Sequence, residues 1–137
     1  SEVMDLAMEV GGTEHGFRFI QLPFNLMLDQ AYLTKNHSVN GKTISLLEAA
    51  QAFNLGVFTS VPLLQGKLLT ANVMPEFGDY STSVRLLQFV RSTPGVTAPL
   101  IGQKSESHVT ENMNIMKIPP LSESEFNELL KKMVDRS

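Results

Sequence analysis

Leu100-Ile101-Gly102-Gln103-Lys104-Ser105-Glu106-Ser107-His108-Val109-Thr110-Glu111-Asn112 follows a β-type run and opens a helix. A glycine-containing turn leads from the strand into a polar, capped helix start, and the turn itself carries a lysine and a serine. Such a turn can cradle a phosphate, because backbone N–H groups and the positive end of the helix dipole face the anion while a nearby cation adds charge. An ordinary strand-to-helix turn also needs a glycine and polar caps. The weight of the pattern therefore depends on what surrounds it.

Upstream, Val3, Leu6, Ala7 and Val10 recur at helical spacing and Gly11-Gly12 ends that helix. Phe17 to Leu22 reads as a short buried strand stopped by Pro23, and Asn25 to Lys42 as a long loop with one helical turn. A second helix is expected over Ile44–Phe53 with Thr43 as its cap, then a strand over Val57–Val61. Leu63 to Ala71 reads as a loop with a helical turn. A third helix spans Ser81–Arg91, Thr93-Pro94-Gly95 turns the chain, and a third strand covers Val96–Ile101. After a helix over Glu106–Met116, Pro119-Pro120 breaks the chain, and Ser122 with Glu125 forms a capping box for a last amphipathic helix. Phe126, Leu129, Leu130 and Met133 share one face of that helix. The strand–helix alternation predicts a parallel sheet with right-handed crossovers. The short strands lack clean polar alternation, as in sheets covered on both faces.

The 137 residues suffice for one domain, 1–137, with a real core. A net charge of −3 gives no general attraction to nucleic acid or anionic membrane. Absent cysteine rules out disulfides and thiolate metal sites and permits a reducing compartment; a cytoplasmic location is expected. No apolar run approaches the ~20 residues of a membrane span. The chain starts at Ser1, already inside a helical pattern, so a processed or cut start is expected.

His15 and His37 sit in polar loops without partners at metal-ligand spacing, so no metal site is expected. Met27, Met113, Met116 and Met133 occupy apolar positions as core filler, and Glu123, Glu125 and Glu128 form a solvated face. No Gly-x-Ser-x-Gly elbow or Cys/His pair is present. Two segments remain, each just after a strand: Pro62-Leu63-Leu64-Gln65-Gly66-Lys67-Leu68-Leu69 and Gly102-Gln103-Lys104-Ser105. In a parallel α/β sheet both emerge at the carboxyl edge, where ligands bind. Lys104 and His108 are then the natural cationic groups; the alternative is a helix-start lysine and an exposed histidine.

The order Gln21-Leu22-Pro23-Phe24-Asn25-Leu26, Gly56-Val57-Phe58 and Pro62 through Leu69, then Ser92-Thr93-Pro94-Gly95-Val96, Leu100 through Ser105 and Glu111-Asn112, resembles the aldo-keto reductases. The resemblance runs from about Gly16 to Met133 and lies in the ordered combination of motifs. It implies the fold class: α/β, a partial TIM barrel of about three parallel strands alternating with helices, plus a C-terminal amphipathic helix. A complete barrel takes ~250 residues. The family's catalytic tyrosine, lysine, aspartate and histidine lie in earlier strands and have no counterparts here; Tyr32 and Tyr80 do not match the motif. No catalytic residue is therefore assigned.

The resemblance implies binding of NADP(H), with NAD(H) as the alternative. Gln21 would hydrogen-bond the nicotinamide carboxamide, and Leu63, Gln65 and Gly66 would line the pyrophosphate. Gly102, Lys104 and Ser105 would meet the adenosine-side phosphate, with His108 replacing the usual arginine or glutamine. Glu111 and Asn112 would contact adenine. Where the family stacks a tyrosine or tryptophan on nicotinamide, this chain has Ser60, and Val61 replaces the following serine. The implied function is the cofactor-binding part of an oxidoreductase acting on a small aldehyde or ketone, inactive alone. The alternative is a free-standing, non-catalytic half-barrel that binds a nucleotide or a protein partner. Either way, strands cut from a barrel leave two unpaired edges and an apolar inner face, so self-association is expected.

Overall fold

A computed structural model describes residues 2–71 and 73–134; Ser1 lies outside them. Three strands, β1 (Phe19–Pro23), β4 (Gly56–Ser60) and β5 (Ala98–Pro99), form a parallel sheet in the order β1-β4-β5. Gln21 pairs with Phe58 and Phe58 with Ala98. The expected strand over Val96–Ile101 shrinks to two residues because Pro99 has no N–H to donate, which suits it to an edge. Flanking bonds, Thr97 N–H to the Val57 carbonyl at 2.8 Å and Leu100 N–H to the Thr59 carbonyl at 2.7 Å, carry the ladder past it. Pro23 ends β1 inside the strand rather than beyond it, again on an edge.

Between β1 and β4 the expected loop contains more structure than its composition implied. A short helix α2 (Gln30–Leu33) precedes an antiparallel hairpin, β2 (His37–Val39) with β3 (Lys42–Ile44). Asn40 and Gly41 connect them with φ of 50° and 75°. Two successive left-handed residues match the twist of a two-residue hairpin, and Asn-Gly is its strongest sequence signal. His37 is thus a half-buried strand residue, not a loop residue. Thr43 and Ile44 belong to β3, so helix α3 (Leu46–Ala52) is capped by Ser45 instead of Thr43. Ser45 Oγ accepts from Glu48 N–H at 3.2 Å while Glu48 Oε2 accepts from Ser45 N–H at 2.7 Å.

The other helices are α1 (Glu2–Gly11), α4 (Lys67–Thr70), α5 (Thr82–Ser92), α6 (Glu106–Met113) and α7 (Glu123–Val134). A tighter 3-10 turn, Asn114–Lys117, replaces the last turn expected of α6. The Ser122–Glu125 capping box is present, with Glu125 Oε2 accepting from Ser122 N–H at 2.8 Å. On α5, Val84, Leu87 and Val90 are all buried, as their spacing requires.

The core lies between one sheet face and helices α3, α5 and α7. Phe89 of α5 stacks on Phe24 and Phe126 at ring distances of 6.3 Å and 5.5 Å, and Tyr32 meets Phe126 edge-on at 5.7 Å. The packing on Phe126 and Leu129 follows the amphipathic pattern of α7, with Leu130 and Met133 at its margin. Met27, Met113 and Met116 are exposed rather than core filler, because they fall in a loop and on the outer side of α6 and the turn after it; the buried methionine is Met74. The expectation of a sheet covered on both faces fails. Val57 and Thr59 point into the core, while Phe19, Gln21 and Leu100 stand exposed on the opposite face. Helix α1 also leaves Val3, Leu6 and Val10 exposed and buries no residue.

Candidate functional site

Because β4 and β5 are parallel, the turns that follow them leave the sheet at the same edge. The first runs from Val61 to Gly66 into α4, the second from Leu100 to Ser105 into α6. Between them opens a cleft of about 380 Å³ lined by Leu63, Leu69, Ser81, Thr82, Ser83, Gly102, His108, Glu111 and Asn112. Its size falls within the ~300–1,000 Å³ range of small-molecule sites. Both turns singled out in the sequence thus contribute to one space, together with the inner side of α6.

Glu111 is the electrostatic centre of that wall. Ser83 Oγ donates to Glu111 Oε1 at 2.8 Å, and Ser83 in turn meets Ser81 Oγ at 3.1 Å. Hydrogen bonds from Ser81 and Ser83 hold the Glu111 carboxyl below its ordinary value; partial burial opposes them and His108 reinforces them. At neutral pH the group is therefore an ionised acceptor. Next to it Asn112 is 7% exposed, and its Oδ1 is buried with no hydrogen-bond partner among the described residues. Thr59 Oγ1 and Arg85 Nε are likewise orphaned, but neither residue lines the cleft. A buried acceptor without a donor costs about 1–3 kcal/mol. The oxygen itself is closed to solvent, so the penalty is internal to the fold, although the residue borders the cleft.

Helix α6 begins beside this wall. Ser105 is its N-cap, the side chain accepting from His108 N–H at 3.3 Å and meeting Ser107 Oγ at 2.9 Å. Lys104 precedes the cap and is exposed. Neither Lys104 nor Ser105 lines the cleft; they stand at its rim, one turn from His108. Gln65, exposed with a φ of 55°, and Gly66, with a φ of 86°, shape the first turn without lining the cleft. Gln21 is separate from both, exposed on the open sheet face beside Phe58.

Of the residues singled out in the sequence, Leu63, Gly102, His108, Glu111 and Asn112 come together, whereas Gln21, Gln65, Gly66, Lys104 and Ser105 stand apart from the cleft wall. Sequence reasoning placed Leu69 in a candidate segment without giving it a role, and missed the Ser81-Thr82-Ser83 run. The run is an ordinary helix start, with Ser81 Oγ accepting from Val84 N–H at 3.4 Å, and only its proximity to Glu111 gives it a further role. Tyr32 packs in the helical layer, and burial followed by the charges of Glu123 and Glu48 raises its pKa. Tyr80 lines a second cleft, of about 350 Å³, between the Glu76–Tyr80 loop, Pro119-Pro120 and α7, which contains none of the expected cofactor-binding residues. Among the described residues no cluster of His, Cys, Asp or Glu could hold a metal, and no helix is long and apolar enough to cross a membrane.

The chain is similar in structure to the aldo-keto reductase AKR11C1 from Bacillus halodurans in its holo form, with a TM-score of 0.61 and 16% identity. The match covers 94% of this chain and 46% of that one, so the chain spans less than half the length of the solved structure. The parallel strands alternating with helices are thus those of a partial barrel of the aldo-keto-reductase type. No family model matches the sequence, and no curated protein does.

Proposed function

We propose that this chain is the NAD(P)(H)-binding portion of an oxidoreductase that reduces aldehydes or ketones. The observation that carries the reading is the shared cleft: Leu63 from the turn after β4 and Gly102, His108, Glu111 and Asn112 from the segment after β5 face the same space. Its chemistry suits the adenosine end of a dinucleotide. The Glu111 carboxylate is an ionised acceptor on the cleft wall, and an exocyclic amino group supplies a donor to it. At the rim, Lys104 and the N-terminus of α6 offer positive potential to a phosphate, which favours NADP(H) over NAD(H). Gln21 would orient the nicotinamide carboxamide at the other end, on the open sheet face.

Bound nicotinamide supplies a hydride for a carbonyl carbon. Reduction also needs a positioned proton donor beside the nicotinamide, whereas Tyr32 packs against Phe126 in the helical layer and Tyr80 lines the cleft beside α7. The segment alone is therefore inactive in this proposal, and its part is to hold the cofactor. A second reading, a non-catalytic half-barrel with a protein partner, draws on the exposed Phe19 and Leu100 of the open sheet face.

Fluorescence titration of the chain with NADPH and with NADH tests the first reading. Saturable binding is expected, weaker for NADH, and Lys104→Ala should weaken NADPH by about tenfold, the effect of losing one charge-assisted contact. Binding of NADPH that is indifferent to Lys104→Ala would refute the phosphate assignment, and no binding at all would refute the cofactor reading.

A further inference from the structure

The turn that brings Leu63 to the cleft is built from residues unsuited to it. Val61, Leu64 and Gln65 have φ values of 51°, 48° and 55°. Left-handed backbone is unfavourable for any residue with a Cβ and most so for a β-branched one. Val61 also precedes Pro62, and a residue before proline prefers extended backbone. Such a conformation persists only where its surroundings enforce it.

The surroundings converge on Asn25, which is 0% exposed. Its Nδ2 donates to the Val61 carbonyl at 2.9 Å, and the same carbonyl accepts from Leu64 N–H at 2.9 Å. Asn25 Oδ1 accepts from the N–H groups of Met27 and Leu28 at 2.9 Å and 3.1 Å. Just before it, Phe24 N–H donates to the Ser60 carbonyl at 3.1 Å. One fully buried amide thus uses its acceptor to order the loop after β1 and a donor to fix the turn after β4.

We infer that Asn25 is a positioning residue for the ligand turn, clamping Val61 in its left-handed conformation so that Leu63 is presented to the cleft. The inference rests on the nucleotide reading of that cleft. Asn25 touches no ligand; it acts through the Val61 carbonyl. Chemistry supplies a discriminating pair of substitutions. Asn25→Asp keeps the acceptor for Met27 and Leu28 but loses the donor to Val61. Val61→Gly removes the steric penalty that the clamp offsets, since glycine adopts positive φ freely.

The experiment uses the whole chain, with amide hydrogen exchange at Leu64, Gly66 and Leu68, whose N–H groups bond within the turn, and NADPH titration in parallel. Asn25→Asp should speed exchange at these amides and weaken NADPH, each by about tenfold, as loss of one buried hydrogen bond allows, while core amides such as Val90 keep their protection. Adding Val61→Gly should restore most of both losses, a rescue that a merely structural role for Asn25 would not give. If Asn25→Asp fails to fold, Val61→Gly alone decides: its turn amides should be protected at least as well as in the parent chain. Unchanged exchange in Asn25→Asp, absence of rescue, or deprotection in Val61→Gly alone overturns the clamp. NADPH binding unaffected by Asn25→Asp overturns the inference while sparing the cofactor reading, whereas a parent chain that never binds NADPH overturns the cofactor reading itself.

Discussion

Replacing Asn112 with leucine should make the chain more stable and a poorer nucleotide binder at once. Asn112 Oδ1 is buried without a donor, and an unsatisfied buried acceptor costs about 1–3 kcal/mol. The residue sits in the last turn of α6, where leucine is the better helix former by a few tenths of a kcal/mol. Leucine has the same number of side-chain heavy atoms and is bulkier only through its two methyl groups, and Asn112 borders a cleft of about 380 Å³ that gives them room. The expected gain is ~1–2 kcal/mol. With a urea m-value of ~1–3 kcal/mol/M, the unfolding midpoint should rise by roughly 0.5–1 M at unchanged m. NADPH affinity should fall in the same protein if the nucleotide uses this wall, because leucine replaces the amide that borders the cleft with an apolar side chain. Surface substitutions seldom move stability and binding in opposite directions; a strained functional position does. A lower midpoint would show that the oxygen serves the fold, and a raised midpoint with unaltered NADPH binding would show that it does not serve the ligand.

Acid should weaken the wall that α5 and α6 share. Glu111 is held below its ordinary value of 4.5 by Ser81 and Ser83, so its contribution is fully present above that value and is lost as pH falls through the depressed one; Ser83→Ala should lower the urea midpoint at neutral pH, with the gap from the parent chain narrowing on acidification, and a gap that is constant with pH would refute the linkage. The exposed Phe19 and Leu100 on the open sheet face predict self-association: light scattering should show mass rising with concentration, Phe19→Lys should suppress it, and a monodisperse monomer that binds no hydrophobic dye would contradict it.

The parallel sheet was legible in the sequence because each strand is a short apolar run closed by a breaker, and α5 and α7 announce their buried faces, as Val84, Leu87 and Val90 do, whereas the apolar stripe of α1 stays exposed. The errors have physical causes. Asn40-Gly41 is a hairpin signal, yet its flanking strands, His37–Val39 and Lys42–Ile44, are too short and polar to show period-two alternation. Thr43 and Ser45 are both capping residues, and Glu48, three residues beyond Ser45, was the feature that could have chosen between them. In the cleft, Glu111 and Asn112 were reached through the ordered motifs that resemble the aldo-keto reductases, not through a local polar pattern. Ser83 could not be found that way. Its importance lies in a contact across 28 positions of sequence, which no local pattern encodes. The Asn25 clamp is equally non-local, a side chain reaching 36 positions to a backbone carbonyl.

These long-range contacts also explain why the two ends of the proposed site differ. The adenosine end is walled by α5, by α6 and by the turn after β4, and each wall is fixed from behind: Ser83 fixes Glu111, and Asn25 fixes Val61. At the proposed nicotinamide end, Gln21 is exposed and Ser60 half-buried on the more open sheet face, and Ser60 brings no ring to stack on. A ligand spanning both would gain orientation from the first and little beyond one amide contact from the second. Affinity should therefore follow the adenosine half, which is why Lys104 and Asn112, rather than Gln21, are the substitutions whose effects decide the reading.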